Sequence, residues 1–249
     1  MRKRHKVVCC CQPAAAPIEY QEAGSGVPLL AVHGSGGGHD QGMGFAAGLA
    51  SQGIRVIAMS RFGYLHLRTP MPADASAAAQ ADAHVCLLDA LGIPKAAVMG
   101  GSAGAPSARQ MAIRHPDRVN AVVLLVPLAY KPPTQADSAP PLPAWVEALI
   151  LRVIGSDFLF WSALHLARDQ VIKVVLATPP ELLQKASPQE RAQVDAMLEH
   201  ILPVSLRAEG LRSDTAVGKH LSPSPLGSIR VPTLVISARD DRYGTYASA

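Results

Sequence analysis

The sequence has 249 residues, which is room for one large domain or at most two small ones. Hydrophobic residues make up 49% and charged residues 17%, so apolar burial can offset chain entropy and a wholly disordered chain is excluded. The net charge of +4 is concentrated at the N-terminus, in Arg2, Lys3, Arg4 and Lys6, and the remaining chain is neutral. Because nucleic-acid-binding domains carry basic clusters on the folded body, no nucleic-acid partner is predicted.

Residues 1–17 are predicted to form a flexible, basic and cysteine-rich tail. Its three consecutive cysteines, Cys9 to Cys11, cannot form an ordinary unstrained disulfide framework. Cys86 lies in an apolar stretch and is interpreted as a small buried hydrophobe. Reduced cysteines, and an apolar segment too short for a signal-peptide core, favour a cytoplasmic location. No uncharged apolar stretch reaches the roughly 18–20 residues of a membrane span.

From residue 18 onward, apolar runs with the pattern of strands alternate with segments of helical spacing. The predicted strands are residues 18–23, 27–33, 54–59, 95–100, 120–125 and 231–237, and the predicted helices are residues 42–52, 75–91 and 103–115. Strands buried on both faces are nearly continuous apolar runs, as in VPLLAVH. Their alternation with helices predicts an α/β fold, with a mostly parallel sheet covered by helices on both faces.

Residues 131–227 interrupt this alternation and have the pattern of several amphipathic helices. Two capping boxes with proline at the first helical position, Thr178–Glu181 and Ser187–Glu190, mark helix starts. We interpret the segment as a helical cap over the edge of a core formed by residues 18–130 and 228–249. The apolar stretches WVEALILRVI and DFLFWSALHLA predict an apolar pocket beneath the cap, although such stripes also suit a helical core.

The strongest chemical signal is the G-x-S-x-G motif of Gly100–Gly104, which follows a predicted strand and opens a predicted helix. A serine at such a turn has strained backbone and an exposed hydroxyl, and the helix N-terminus adds partial positive charge where an oxyanion forms. The alternative is a turn of small residues without chemistry. The strand-to-helix context favours Ser102 as a nucleophile.

A glycine-rich loop, HGSGGG at residues 33–38, follows the strand VPLLAV. Such a loop can aim backbone N–H groups at a developing oxyanion. A phosphate-binding loop does not fit, because neither a complete G-x-G-x-x-G unit nor a following Gly-Lys-Ser/Thr is present. His33 itself is interpreted as structural.

Two acidic residues, Asp240 and Asp241, follow the last predicted strand. A carboxylate at the C-terminal end of a strand can orient an imidazole and stabilise its cation. The alternative is a pair of solvated loop acids, and the order after a nucleophile turn favours the chemical role.

These motifs, with SRFGYL, QADAHVCLLDALGI and HPDRVNAVVLL, resemble in their order the α/β-hydrolase fold superfamily over residues 18–249. The resemblance implies a mostly parallel sheet, a cap after the sixth strand and a Ser–acid–His triad. It assigns Ser102 as nucleophile and the Ser35 and Ala103 N–H groups as oxyanion hole. Asp241 matches the triad acid, and Asp240 is second. Serine at the nucleophile position argues against the dehalogenases and epoxide hydrolases of this fold, and no cofactor or metal is expected.

Within the family order the histidine follows the acid, but none of the eight residues after Asp241 is histidine. The last strand and the final helix of the family pattern are also missing. The expectation is therefore a hydrolase sequence cut short before its catalytic base, with little triad-level turnover. The histidines near the predicted site or in the cap are interpreted as surface or packing residues: His39, His66, His165, His200 and His220.

The expected function is hydrolysis of a small apolar ester, lactone or related acyl or C–C substrate. One alternative is a non-catalytic hydrolase-fold protein that binds a small apolar ligand or a partner. A second alternative is a cofactor-free haloperoxidase or perhydrolase. The sequence leaves the substrate and the oligomeric state open.

Overall fold

The computed structural model describes residues 6–8, 17–65, 71–130, 144–239, 241 and 243–248. Within these residues seven strands form one sheet: β1 (Lys6–Val8), β2 (Ile18–Ala23), β3 (Val27–Val32), β4 (Ile54–Met59), β5 (Ala96–Gly101), β6 (Val119–Leu125) and β7 (Thr233–Ile236). Their order across the sheet is β1-β2-β4-β3-β5-β6-β7. The pairs from β4 to β7 are parallel, and β2 runs antiparallel to both β1 and β4. The predicted mostly parallel α/β sheet is confirmed.

Three helices connect the parallel strands: α1 (His39–Ala46), α2 (Ala77–Ala90) and α3 (Ala105–Arg114). Six more lie between β6 and β7: α4 (Ala144–Ile154), α5 (Asp157–Leu166), α6 (Arg168–Val175), α7 (Pro180–Lys185), α8 (Pro188–Glu199) and α9 (Ala208–Lys219). We call α4 to α9 the helical insertion. A short helix, α10 (Thr245–Ser248), follows β7. No described helix is both long and apolar enough to cross a membrane.

Alternate residues of the central strands pack on opposite faces of the sheet. Leu30 and Ile57 belong to a buried cluster with residues of α2 and α3. Leu29 and Val56, their neighbours in sequence, belong to a second cluster that includes Met43 of α1. Because side chains of a strand point to the two faces in turn, both faces are buried, which explains the nearly continuous apolar runs.

Several element boundaries differ from the predictions. Residues 6–8, expected within a flexible tail, form β1 and pair with β2. The first connecting helix begins at His39 rather than residue 42, and residues 47–52 form a 3₁₀ helix. Ser187 and Glu190 form the predicted capping box of α8. Thr178 does not cap a helix, because α7 begins later, after Pro179, and the Thr178 hydroxyl donates to the Leu176 carbonyl.

The cysteine prediction also needs correction. Cys86 is only partly buried and is disulfide-bonded, so it is not the free buried thiol that its apolar surroundings suggested. Cys9, Cys10 and Cys11 lie outside the described residues.

The strand β7 is an exposed edge of the sheet. It pairs with β6 on one side, and Leu234 and Ile236 remain 55% and 50% exposed. Apolar residues with an open ladder of backbone groups are uncommon on a sheet edge, because such an edge is a template for further pairing.

Candidate active site

The residue Ser102 stands at the turn from β5 into α3. β5 ends at Gly101, residues 102–104 form a 3₁₀ turn, and α3 begins at Ala105. Ser102 has φ of +45°, in the left-handed region that a residue with a side chain rarely adopts. Such backbone costs about 1–3 kcal/mol and persists only where the surrounding structure over-determines it. The strained serine turn expected from the sequence is therefore present.

Glycines around the turn allow an unusually close approach of chain segments. A β-carbon on Gly104 would lie 2.5 Å from the His33 carbonyl oxygen, and one on Gly100 would lie 2.8 Å from the Ala108 β-carbon. A β-carbon on Gly34 would lie 3.1 Å from that of Ser102. The glycine-rich loop after β3 therefore lies directly against the serine turn.

A neutral histidine, His33, holds that loop in place through two hydrogen bonds. The His33 Nε2 accepts a hydrogen bond from the Arg61 backbone N–H at 2.9 Å, and its Nδ1 lies 2.7 Å from the Gly34 carbonyl oxygen. Since a backbone N–H can only donate, the proton is on Nδ1, which donates to Gly34. Burial, with the neighbouring Arg61 charge, holds the pKa of His33 well below its ordinary value. His33 is structural, as its position in the sequence indicated.

A buried ion pair joins the loops of the core to the helical insertion. The Arg61 guanidinium donates to both carboxylate oxygens of Asp214, on α9, at 2.7 Å. The same carboxylate accepts hydrogen bonds from the Tyr64 hydroxyl at 2.5 Å and the Ser35 hydroxyl at 2.9 Å. Burial and the Asp214 charge raise the pKa of Tyr64 well above its ordinary value, so Tyr64 remains a hydrogen-bond donor.

A second arginine, Arg207, also connects the insertion to the core. Arg207, almost fully buried at the start of α9, donates to the Asp40 carboxylate at 2.6 Å and to the Gly37 carbonyl of the glycine-rich loop. Sequence reasoning missed Arg207 and Asp214. Arg61 and Tyr64 fall inside SRFGYL, but nothing in that motif points to an acid about 150 residues later.

The predicted acid lies beyond the end of β7. Because β5, β6 and β7 are parallel, their carboxyl ends share one edge of the sheet, and Ser102 and Asp241 both follow strands at that edge. The Asp241 carboxylate accepts hydrogen bonds from the Tyr243 N–H at 2.9 Å and the Thr245 hydroxyl at 2.5 Å. Asp240, the second candidate, lies outside the described residues.

No described histidine makes a hydrogen bond to Ser102 or Asp241. The His39 ring lies 3.5 Å from Glu19, the His84 ring contacts Ser107 and Met59, and the His165 ring contacts Trp161. His200 and His220 follow the ends of α8 and α9. His66 lies outside the described residues.

A small cleft of about 30 Å³ opens beside Ala103, between Pro106 of α3 and Val217 of α9. Gln80, nearly buried, also lines it. The Gln80 Oε1 accepts from the Phe62 N–H at 3.0 Å, and its buried Nε2 has no acceptor among the described residues. The cleft therefore has room for about one water molecule and borders an amide with an unused donor.

The apolar stretches of α4 and α5 lie partly on the surface and partly in the core of the insertion. Trp145, Phe158, Trp161 and Leu166 are exposed, and none of them lines the cleft beside Ala103. Their neighbour Phe160 is buried within the core of the insertion itself. Ile154 of α4 packs against the same core and lines a second small cleft with Leu211 of α9, and an apolar substrate pocket there stays a prediction. No cluster of described histidine, cysteine or acidic side chains is suited to hold a metal ion.

Comparison with known proteins agrees with this architecture. The α/β hydrolase fold family matches residues 27–249. This chain belongs to the α/β hydrolase fold family. A solved α/β hydrolase fold protein from Nakamurella multipartita superposes with a TM-score of 0.69 at 24% identity, covering 97% of this chain and 86% of that one.

Two hydrolases are similar to this hydrolase-fold chain in sequence. A 2-hydroxymuconate semialdehyde hydrolase of Pseudomonas putida is 37% identical over 105 residues, or 42% of this chain and 37% of the relative. A 2-hydroxy-6-oxo-6-phenylhexa-2,4-dienoate hydrolase of Comamonas testosteroni is 25% identical over 229 residues, or 91% of this chain and 75% of the relative. The first match thus spans well under half of that relative's length.

Proposed function

We propose that this hydrolase-fold protein is a serine hydrolase in which Ser102 attacks a substrate carbonyl carbon. The observation that carries the proposal is the positive φ of Ser102 at the junction of β5 and α3. A hydroxyl held in this backbone stands above the sheet at the start of a helix, where developing negative charge is favoured. A turn serving only to connect a strand to a helix needs no strained serine.

The N–H groups of Ser35 and Ala103 form the proposed oxyanion hole. Gly34 packs against Ser102, which places the following peptide beside the nucleophile. The Ser35 N–H donates to no acceptor among the described residues, so it is available to an oxyanion. Preorganised backbone donors of this kind stabilise the charge that develops in the transition state.

Asp241 is the proposed triad acid, with Asp240 as second candidate. A serine hydroxyl is a weak nucleophile without a base, and the 249 residues include no histidine after Asp241.

The proposed substrate is a small apolar ester, lactone or related acyl or C–C compound. The names of the two relatives specify a semialdehyde and an oxo-dienoate, both of which offer a carbonyl carbon for attack. We also propose that residues 131–227, which include the helical insertion, act as the cap of this site. A cytoplasmic location stays a prediction, and the disulfide at Cys86 stands against it, because disulfides persist mainly in oxidising compartments.

The test is hydrolysis of p-nitrophenyl butyrate by the protein, by Ser102→Ala and by Ser213→Ala, a control serine that lines the cleft beside Ala103. We expect Ser102→Ala to lower the rate by at least about tenfold, since it removes the nucleophile of the triad mechanism. The Ser213→Ala rate should equal that of the unaltered protein. Mass spectrometry should locate the butyryl group on the peptide that contains Ser102. Equal rates for all three proteins would contradict the proposal.

A second function, ligand binding without catalysis, is favoured by one observation. No described histidine bonds to Ser102, and the Asp241 carboxylate is occupied by residues that follow it. Stabilisation of the protein against heat by phenyl acetate, without release of phenol, would support binding alone. Peroxide-dependent bromide oxidation would instead support the haloperoxidase alternative.

A further inference from the structure

The Asp214 carboxylate is the point where α9 of the insertion meets the loops that follow β3 and β4. It accepts hydrogen bonds from Arg61, Tyr64 and Ser35. The side chains of Arg61 and Asp214 are only 8% and 10% exposed. A buried bidentate pair of this kind has one favourable geometry, and removing either partner leaves a charge uncompensated.

Arg61 also fixes the peptide that carries the proposed oxyanion donor. Its Nη2 donates to the Gly34 carbonyl oxygen at 3.2 Å, and its Nε donates to the His33 carbonyl oxygen at 3.0 Å. The Gly34 carbonyl belongs to the same planar peptide as the Ser35 N–H. In a trans peptide the two groups point in opposite directions, so holding the carbonyl toward Arg61 directs the N–H away from it.

We propose that Asp214 is a positioning residue that sets the direction of the Ser35 N–H by locking Arg61 against the Gly34 carbonyl. The inference rests on the proposed function, because this direction matters to catalysis only when an oxyanion forms beside Ser102. It adds that the helical insertion helps to complete the oxyanion hole by orienting a backbone N–H group of the core. A displacement of α9 from the loop releases Arg61 and leaves the Gly34 carbonyl held by the His33 Nδ1–H alone, which weakens the restraint on the Gly34–Ser35 peptide.

The chain offers a matched control for this role. Arg207 and Asp40 also form an ion pair between the insertion and the core, next to the same glycine-rich loop. Arg207 donates to Gly37 and Asp40, and neither residue of the pair bonds to the Gly34–Ser35 peptide. Breaking the Arg207–Asp40 pair removes one ion pair between the insertion and the core. Breaking the Arg61–Asp214 pair removes such an ion pair and also the restraint on the direction of the Ser35 N–H.

The experiment compares the binding of phenylboronic acid to the unaltered protein, Asp214→Asn and Asp40→Asn, followed by ¹¹B NMR. In the adduct the Ser102 Oγ bonds to boron, the boron becomes tetrahedral and anionic, and the hydroxyl proton passes to solvent. Its B–O⁻ character mimics the oxyanion and needs no catalytic turnover. Ser102→Ala shows which part of the tetrahedral signal depends on the nucleophile, and thermal unfolding shows that each variant is folded.

We expect Asp214→Asn to weaken the adduct by about tenfold or more, since removing one oxyanion donor typically costs about 10²–10³ in rate. Asp40→Asn should weaken it by no more than about twofold, the size of an ordinary structural change. Unchanged binding by Asp214→Asn, or equal losses in the two variants, would overturn the positioning role. No Ser102-dependent adduct in the unaltered protein would instead contradict the proposed nucleophile, and the positioning role with it.

Arg61→Lys provides a second route if Asp214→Asn does not fold. Lysine keeps a cation beside Asp214 but lacks the planar fork that reaches Asp214 and the Gly34 carbonyl together. The same weakening of the adduct is expected, and full retention of affinity would contradict the proposal.

Discussion

At the scale of single residues, the candidate site depends on a strained backbone conformation at Ser102. Ser102 adopts a positive φ because the strand before it, the helix after it and the loop against it all limit the turn. Gly104, two residues after Ser102, is needed because there is no space for a β-carbon, not because of its dihedral angles. Gly104 has φ of −81°, which any residue adopts, yet a β-carbon there would meet the carbonyl oxygens of Val32 and His33 at 2.7 and 2.5 Å.

Gly104→Ala should therefore destabilise the protein by steric conflict alone. We expect the free energy of unfolding to fall by about 1–3 kcal/mol, the usual cost of overpacking against backbone that cannot move. Gly48→Ala is the control, because a β-carbon at Gly48 meets nothing within 4 Å. Urea denaturation of both variants measures the difference, and equal stabilities would show that β3 and the serine turn do not pack as closely as described.

At the scale of elements, local sequence signals succeed where local contacts decide the outcome. Ser187 and Glu190 form a capping box because both residues lie at the first turn of α8. Each side chain accepts a hydrogen bond from the backbone N–H of the other residue. Thr178–Glu181 has the same spacing, but its two prolines shift the start of α7 by one residue. The spacing alone could not distinguish the two cases.

The matched pair of variants Ser187→Ala and Thr178→Ala tests this difference. Ser187→Ala should lower the free energy of unfolding by about 1 kcal/mol, because it leaves the Glu190 N–H of α8 without its side-chain acceptor. Thr178→Ala should change it by less than about 0.5 kcal/mol, since its hydroxyl caps no helix. Chemical denaturation provides the measurement. A larger loss in Thr178→Ala than in Ser187→Ala would contradict the assignment of the two caps.

At the scale of the whole molecule, buried polar groups connect the sheet, its helices and the insertion. Two fully buried histidines illustrate this. His33 joins the loops after β3 and β4, while the His84 Nε2 of α2 lies 3.0 Å from the Ser107 hydroxyl oxygen of α3. Burial, assisted by the Arg61 charge, lowers the pKa of His84 to about 3. Both rings are neutral in the folded protein.

This neutrality predicts that the protein loses stability in mild acid. Between pH of about 6.5 and 3, the unfolded chain binds a proton at His84 and the folded chain does not, and the lowered pKa of His33 acts in the same direction. The free energy of unfolding therefore falls as pH falls through this range, by roughly 1 kcal/mol per pH unit from His84. His84→Gln should reduce the slope by about that amount, as measured by urea denaturation between pH 4.5 and 6.5.

His165→Gln, at an exposed position, is the control for loss of a histidine as such. A slope in His84→Gln that equals the slope of the unaltered protein would mean that His84 is not buried and neutral in the fold.

The sequence by itself determined the α/β alternation, the order of the strands along the chain and the position of the serine turn. These follow from apolar runs, glycines and short-range spacing, which depend on neighbours within a few residues. Only the tertiary structure decided that Asp214 and Arg207 meet the loops after β3 and β4, and that Trp145, Phe158 and Trp161 face outward while Phe160 is buried. Such contacts join residues more than 150 positions apart, and they are fixed by how the insertion packs on the core, for which a local pattern carries no signal.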